Sequence, residues 1–247
     1  MKLSKRLSAL CDMVPQGSAV IDVGCDHAYV PVHLLACGIS PCAIASDIRP
    51  GPLAAAKAHI REAGVSDRIA VCLSDGVPLK AVSILTSVGY RRDAAPVTLI
   101  TAGMGGMMML DILQRALHSE EPEFSKGWFR YYLASPQKDA EAFRHGLTKA
   151  GYRIIRERLV EEDGKYYPVI LSEYDPMPPE KLTKDEAMLG PCLIRERGTV
   201  FLNYLAGREA VLEKILASLP ADKPERTEAV KEELTMIRRY LEPRSGN

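Results

Sequence analysis

Four times in the first half of the chain, a short apolar run breaks into a cluster of polar and small residues. Ala19-Val20-Ile21 gives way to Asp22-Val23-Gly24-Cys25-Asp26, and Ala43-Ile44-Ala45 to Ser46-Asp47. Ile69–Leu73 gives way to Ser74-Asp75-Gly76, and Val97–Thr101 to Ala102-Gly103-Met104-Gly105-Gly106. Runs of this kind read as buried parallel strands. Helical stretches lie between them: Pro31–Cys37 closed by Gly38, Pro52–Ala63 closed by Gly64, and Met107–His118 after the fourth run. Alternating strands and helices predict a doubly wound, Rossmann-like α/β sheet, whose ligands sit at the carboxyl ends of the strands. All four clusters fall at those ends. One alone would mean little; the coincidence of four points to a ligand site.

The pattern extends on both sides. Lys5–Val14 carries the apolar spacing of an amphipathic helix. Trp128–Ala134 predicts a fifth strand, and Asp139–Ala150 a helix closed by Gly151. Tyr152–Leu159 and Tyr166–Glu173 predict a closing hairpin around Glu161-Glu162-Asp163-Gly164-Lys165. The proline-rich Tyr174-Asp175-Pro176-Met177-Pro178-Pro179 then marks a domain boundary, with residues 1–175 as the Rossmann-like domain that carries the ligand site and 180–247 as a helical one. In the latter, Leu202, Leu205, Leu212, Leu216 and Leu219, and then Val230, Leu234, Ile237 and Leu241, follow a 3–4 spacing on either side of Pro220 and Pro224. That predicts two antiparallel helices in a coiled-coil hairpin, for docking or for dimerisation; the chain is expected to be a monomer or a homodimer.

Charge excludes a strong global pull toward nucleic acid: 32 basic and 32 acidic residues cancel. Only local basic clusters remain as candidates: Lys2, Lys5 and Arg6; Arg91 and Arg92; Arg153, Arg156 and Arg158; and Arg195, Arg197, Arg238 and Arg239. No apolar run approaches the ~20 residues of a membrane span. The first residues turn polar too soon for a secretory leader, so a cytoplasmic protein is expected. The six cysteines form no C-x-x-C pair, which predicts buried free thiols and no metal site.

The first cluster narrows the ligand. A dinucleotide loop needs G-x-G-x-x-G to cradle a pyrophosphate. Here only Gly24 stands, beside Cys25, which argues against a nicotinamide dinucleotide. S-adenosylmethionine (SAM) carries no phosphate and needs less. Asp22 can orient such a loop or engage an ammonium group. Asp47, with Ile48 beside it, follows about 20 residues on, where an acid accepts ribose hydroxyls. Asp75-Gly76 suits an adenine amine. Each residue also has a purely local use: Asp47 as a helix cap before Pro50, Asp75 as a turn residue. Jointly the three aspartates favour an adenosyl ligand. Ala102, Gly103 and Met104 complete the cofactor set, with Met107–Met109 expected in the core.

Several strings are more specific still. Leu3-Ser4-Lys5-Arg6-Leu7, Gly24-Cys25-Asp26-His27-Ala28-Tyr29-Val30-Pro31, Asp75-Gly76, Ile100–Gly106 and Glu161–Lys165 closely resemble the bacterial TrmK family, tRNA (adenine-22, N1) methyltransferases. The resemblance implies SAM as donor and an adenine N1 of tRNA as acceptor; the predicted tail matches the family architecture, and its reach and arginines make it the expected tRNA-docking part. It makes Asp26 the candidate acceptor near the adenine N6. It gives His27 a positioning role and Tyr29 a stacking role against a flipped base. Lys5, Arg6, Gly105, Gly106, Pro136 and Gln137 become candidate substrate contacts. The chain departs from the family at Ser46-Asp47, often Gly-Glu; at Ser135-Pro136-Gln137, usually Gln-Pro-Asn; and at Pro168, commonly Glu. Three other classes stay open on the residues themselves: an NAD-dependent oxidoreductase, a SAM-dependent methyltransferase for a small molecule or protein, and a non-catalytic RNA-binding protein.

Overall fold

The computed structural model describes residues 3–119, 124, 127–177, 181–220 and 222–243. In chain order the elements are α1 (Lys5–Cys11), β1 (Ala19–Val23), α2 (Tyr29–Ala36), β2 (Ala43–Asp47), α3 (Pro50–Glu62), β3 (Ile69–Leu73), α4 (Ala81–Ser87), β4 (Val97–Ala102), α5 (Gly106–Leu117), β5 (Tyr131–Ser135), α6 (Ala140–Lys149), β6 (Tyr152–Glu162), β7 (Lys165–Tyr174), α7 (Lys184–Leu189), α8 (Pro191–Glu196), α9 (Thr199–Ser218) and α10 (Pro224–Leu241). The strands form one sheet of order β3-β2-β1-β4-β5-β7-β6. β1 to β5 are mutually parallel, and β7 runs antiparallel between β5 and β6. The order reverses at β1, which has β2 on one side and β4 on the other. The crevice above such a switch point is where open α/β sheets bind ligands.

β1, β2 and the first five residues of β4 are buried along their length, because helices cover both faces. Successive side chains feed opposite layers. Ile21 and Val23 join the core under α4, α5 and α6, with Leu85, Leu113 and Phe143. Val20 joins the core under α1, α2 and α3, with Leu10, Leu34 and Ile60.

The predicted strands and helices are present with shifted ends. β5 starts at Tyr131 rather than Trp128. Trp128 and Phe129 instead pack with Phe124 in an aromatic cluster, and the Arg130 N–H donates to the Trp128 carbonyl, turning the chain into the strand. α4, rich in Ser, Thr and β-branched residues, escaped the sequence reading because those residues are weak helix formers. The hairpin is longer than expected, and its two-residue turn, Asp163-Gly164, has both φ angles positive, the type I′ pattern. Pro168 sits in β7 opposite Leu159, past the end of the β5 pairing at Ile170, where a missing N–H costs no bond to β5.

The chain after β7 holds two short helices the spacing did not predict, α7 and α8, joined at Gly190 with φ +102°. α9 and α10 then pair antiparallel: Arg208 reaches Glu233, Arg238 reaches Glu209, and Arg197 reaches the Glu242 carbonyl. Phe201, Leu205, Leu212, Val230, Leu234 and Ile237 form their shared core. Leu202, Leu216 and Leu219 are only partly buried, short of a full heptad seam. The expected boundary falls partly on residues 178–180, outside those described. On its far side the tail is tied to the sheet by a buried ion pair. Arg144 of α6 donates through Nε to Glu157 of β6 at 2.8 Å and through Nη1 to the carbonyls of Ala187 and Met188. The second Glu157 oxygen accepts the Cys192 N–H at 2.9 Å. Among the described residues no helix is long and apolar enough to cross a membrane, and no cluster of three or more His, Cys, Asp or Glu could hold a metal ion.

Candidate functional site

The loop after β1 is built by β2. The N–H groups of Gly24 and Cys25 both donate to the Ser46 carbonyl at 2.9 Å, and the Asp26 N–H donates to the buried Asp47 carboxylate at 3.3 Å. Gly24 has φ +76°, and a Cβ there would lie 2.9 Å from the Met104 methyl. Two non-glycine residues follow in the left-handed region, Asp26 at +50° and Ala28 at +58°. Each costs ~1 kcal/mol or more and persists only because the surroundings impose it. The Ala28 N–H donates to the Cys25 carbonyl at 2.8 Å, and His59 of α3 contacts the His27 carbonyl at 3.1 Å.

Above the switch point this loop borders a cavity of about 400 Å³, within the usual range for small-ligand sites. Asp22, Gly24, Cys25, Asp26 and Tyr29 line it from β1 and α2, Ala102 and Gly103 from β4, and Gln137 from the loop after β5. Arg6 of α1 and Arg49, just before α3, also line it. The β4 and β5 loops are sewn together: the Gln137 N–H donates to the Met104 carbonyl at 3.0 Å, and the Gly103 N–H to the Ser135 carbonyl at 3.3 Å.

Electrostatics single out Asp22. Its carboxyl is buried and accepts no hydrogen bond among the described residues. Burial, then the charge of Asp47, push its pKa up to about 7. A carboxylate held this way is stabilised by any cation brought into the cavity. Burial and the same two aspartates also push the Cys25 thiol well above its ordinary range, which leaves it inert as a nucleophile. Asp26 is exposed, with His27 Nε2 at 3.7 Å and Arg49 at 3.9 Å from its Oδ1.

Other predicted residues divide differently. Asp75 and Gly76 line a neighbouring hollow of about 320 Å³ with Leu79, Ile112 and Arg115. The Arg115 guanidinium bonds the Asp75 carbonyl and carboxylate at 3.2 and 3.4 Å. The Ser46 hydroxyl lies within bonding reach of the Asp22 and Gly76 carbonyls, coupling the β1 and β3 loops. Asp47 lies buried below rather than lining the cavity, its Oδ1 taken by the N–H and Nε of Arg49. Ile48 is exposed and lines neither hollow. Gly106 and Pro136 are buried. A Cβ on Gly106 would strike the Asp139 carbonyl and Phe143, so its smallness serves packing. Gly105 leaves room for the Lys138 stem.

Sequence reasoning missed Arg49, His59, Arg115 and Lys138. It did name Lys5 and Arg6, and the fold explains their place: Glu162 at the end of β6 accepts their N–H groups at 2.7 and 3.5 Å. The Arg6 guanidinium lies 5.0 Å from the centre of the Tyr167 ring. Lys5, Arg6 and Lys138 form no ion pair among the described residues. In the tail Arg195 pairs with Glu196, Arg238 with Glu209 and Glu213, and Arg239 with Asp185, while Arg197 rests on Tyr240 and donates to the Glu242 carbonyl.

Comparison with known proteins agrees with this geometry. Residues 3–170 match the family model described as a methyltransferase domain. The chain is 31% identical over 244 residues to the tRNA (adenine(22)-N(1))-methyltransferase of Bacillus subtilis, covering 94% of this chain and 92% of that one. The chain belongs to the tRNA (adenine(22)-N(1))-methyltransferase family. The solved structure of the Bacillus subtilis family member, TrmK, superposes with a TM-score of 0.75 at 25% identity, over 98% of this chain and 99% of that one. Streptococcus pneumoniae Sp1610, solved in complex with S-adenosyl-L-methionine, superposes with a TM-score of 0.77 at 26% identity, over 98% of this chain and 100% of that one. The family's helical tail is therefore matched along with its sheet.

Proposed function

We propose that the chain methylates N1 of an adenine in tRNA, at position 22, with SAM as donor. The observation that carries this is the switch-point cavity, which the unpaired acid Asp22 lines together with Gly24, Asp26 and Tyr29, in a member of this family. The donor supplies an electrophilic methyl on a cationic sulfur; the adenine N1 lone pair takes the methyl carbon as the carbon–sulfur bond breaks, its electrons staying on sulfur. N1 already carries its lone pair, so the protein's work is positioning and desolvation. Asp22 receives the ammonium of the donor. Asp75, aimed by Arg115, reads the adenine of the donor. Asp26 accepts a hydrogen bond from the target N6 and stabilises the positive charge that develops on the base. Tyr29 stacks on the extruded base, and His27 steers it.

In this reading residues 1–175 are the catalytic unit and 180–247 the tRNA-docking one. Arg195, Arg208, Arg238 and Arg239 of the tail are paired with its own carboxylates, so phosphate contacts near the reaction centre fall to Arg6, which lines the cavity, and to Lys5 and Lys138. Incubation with labelled SAM and tRNA lacking the modification, followed by nucleoside analysis, tests the proposal: N1-methyladenosine at position 22 is expected. Label in any other product, or turnover without RNA, overturns it.

A further inference from the structure

His59 belongs to α3 and lies outside the sequence motifs of the site. Its Nδ1 is 3.1 Å from the His27 carbonyl. A carbonyl only accepts, so Nδ1 carries the proton and donates. Its ring meets Tyr29 edge-on at 4.9 Å, and Tyr29 in turn meets His27 at 5.6 Å. The His27–Ala28 peptide that receives this bond leads directly into the left-handed Ala28. Ala28 is fully buried at the start of α2, and no side chain caps that helix.

These contacts converge on one function. We infer that His59 is a positioning residue for methyl transfer: its imidazole N–H latches the His27–Ala28 peptide in the orientation that aims Asp26 and Tyr29 into the cavity. The physical case rests on strain. An alanine at φ +58° relaxes to negative φ unless its peptide is held, and relaxation swings the carbonyl between His27 and Ala28. The Asp47 carboxylate holds the loop at Asp26. His59 holds it two peptides further on, from a different element. Together with the bond from the Ala28 N–H to the Cys25 carbonyl, these clamps hold the loop at both of its strained positions, Asp26 and Ala28. Neither clamp touches the reacting atoms, so loosening the second one changes the rate of transfer more than the binding of the donor.

The inference rests on the proposed reading of the site, and the test separates the two. Single-turnover methyl transfer to tRNA and SAM binding are measured for the wild type, His59→Ala, His59→Asn and His59→Ala/Ala28→Gly. Asparagine carries an N–H where the Nδ1–H of histidine lies, and glycine adopts positive φ without strain. The expected result is a roughly tenfold slower transfer for His59→Ala, the factor that corresponds to the strain of one left-handed residue. Its SAM affinity stays within about twofold, His59→Asn stays near the wild-type rate, and the double variant recovers most of that rate. A wild-type rate in His59→Ala overturns the latch. So does an His59→Asn as slow as alanine, or a double variant no faster than His59→Ala. A wild-type protein that binds SAM but leaves tRNA unmethylated overturns the functional reading instead.

Discussion

The Asp47 carboxylate accepts the backbone N–H of Asp26 at 3.3 Å, so the acid at the end of β2 shapes the loop at the end of β1. Its other oxygen takes the N–H and Nε of Arg49. A residue whose position suggested a ribose contact or a helix cap is thus a structural acceptor for three donors.

Asp47→Ala is accordingly expected to lower both stability and SAM affinity. Leaving these partly buried donors without an acceptor costs at most roughly 1–3 kcal/mol, and each kcal/mol shifts the midpoint by about 2–4 °C in a chain of this size. Thermal unfolding and calorimetric SAM titration check this. An unchanged midpoint would show that Asp47 does not hold the loop.

As the proposed receiver of the donor's ammonium, Asp22 is expected to make donor binding pH-dependent. In the free protein its carboxyl keeps a proton up to about pH 7. Its contribution to stability is greatest below the ordinary carboxylate range and is lost as pH rises through about 7. A bound cation has the opposite preference, for the ionised form. SAM affinity should therefore fall as pH drops below about 7, approaching roughly tenfold per unit, with a proton released on binding at neutral pH. Asp22→Asn should bind more weakly at about pH 8 and lose the slope. A flat wild-type profile between about pH 5 and pH 8 contradicts the assignment.

Asp26→Asn separates charge from conformation, because asparagine tolerates the left-handed region. SAM affinity should stay within a few-fold while single-turnover transfer slows by about 10- to 100-fold, the range of one charged hydrogen bond. A near-normal rate would reduce Asp26 to a loop residue.

For tRNA, removing Lys5, Arg6 and Lys138 together should flatten the salt dependence of binding. Each phosphate left without its cation takes about 0.7–0.9 from the slope. Arg238→Ala/Arg239→Ala should leave the slope nearly unchanged, because these groups already bond Glu209, Glu213 and Asp185. The reverse ranking, read by filter binding at several salt concentrations, places the grip on the tail.

Glu157→Ala strands the Arg144 guanidinium in a fully buried site. Removing one partner of such a pair costs about 3–5 kcal/mol. Ending the chain after Met177 removes the Ala187, Met188 and Cys192 partners of the same pair, so a truncated catalytic unit should also unfold at lower denaturant concentration. Equal midpoints for the truncated and full chains would make the tail an independent appendage.

Much of this was legible along the chain because it is local. Four apolar runs ending in small or acidic residues determine the sheet and the edge that carries the site, since burial on two faces and tight backbone approach each demand a residue type at a fixed place. The Asp163-Gly164 turn and the break before α10 are local in the same way. Which motifs meet is not local. Only the tertiary structure decided that Glu162, at the far end of β6, anchors Lys5 and Arg6 beside the cavity, that Ser46 bridges the β1 and β3 loops, and that His59 reaches the His27 carbonyl. Charge pairing is of the same kind: Arg208 and Arg238 meet their carboxylates across α9 and α10, and Arg239 meets Asp185 of α7. Such pairings depend on distances between residues far apart in the chain, which periodicity and composition do not encode.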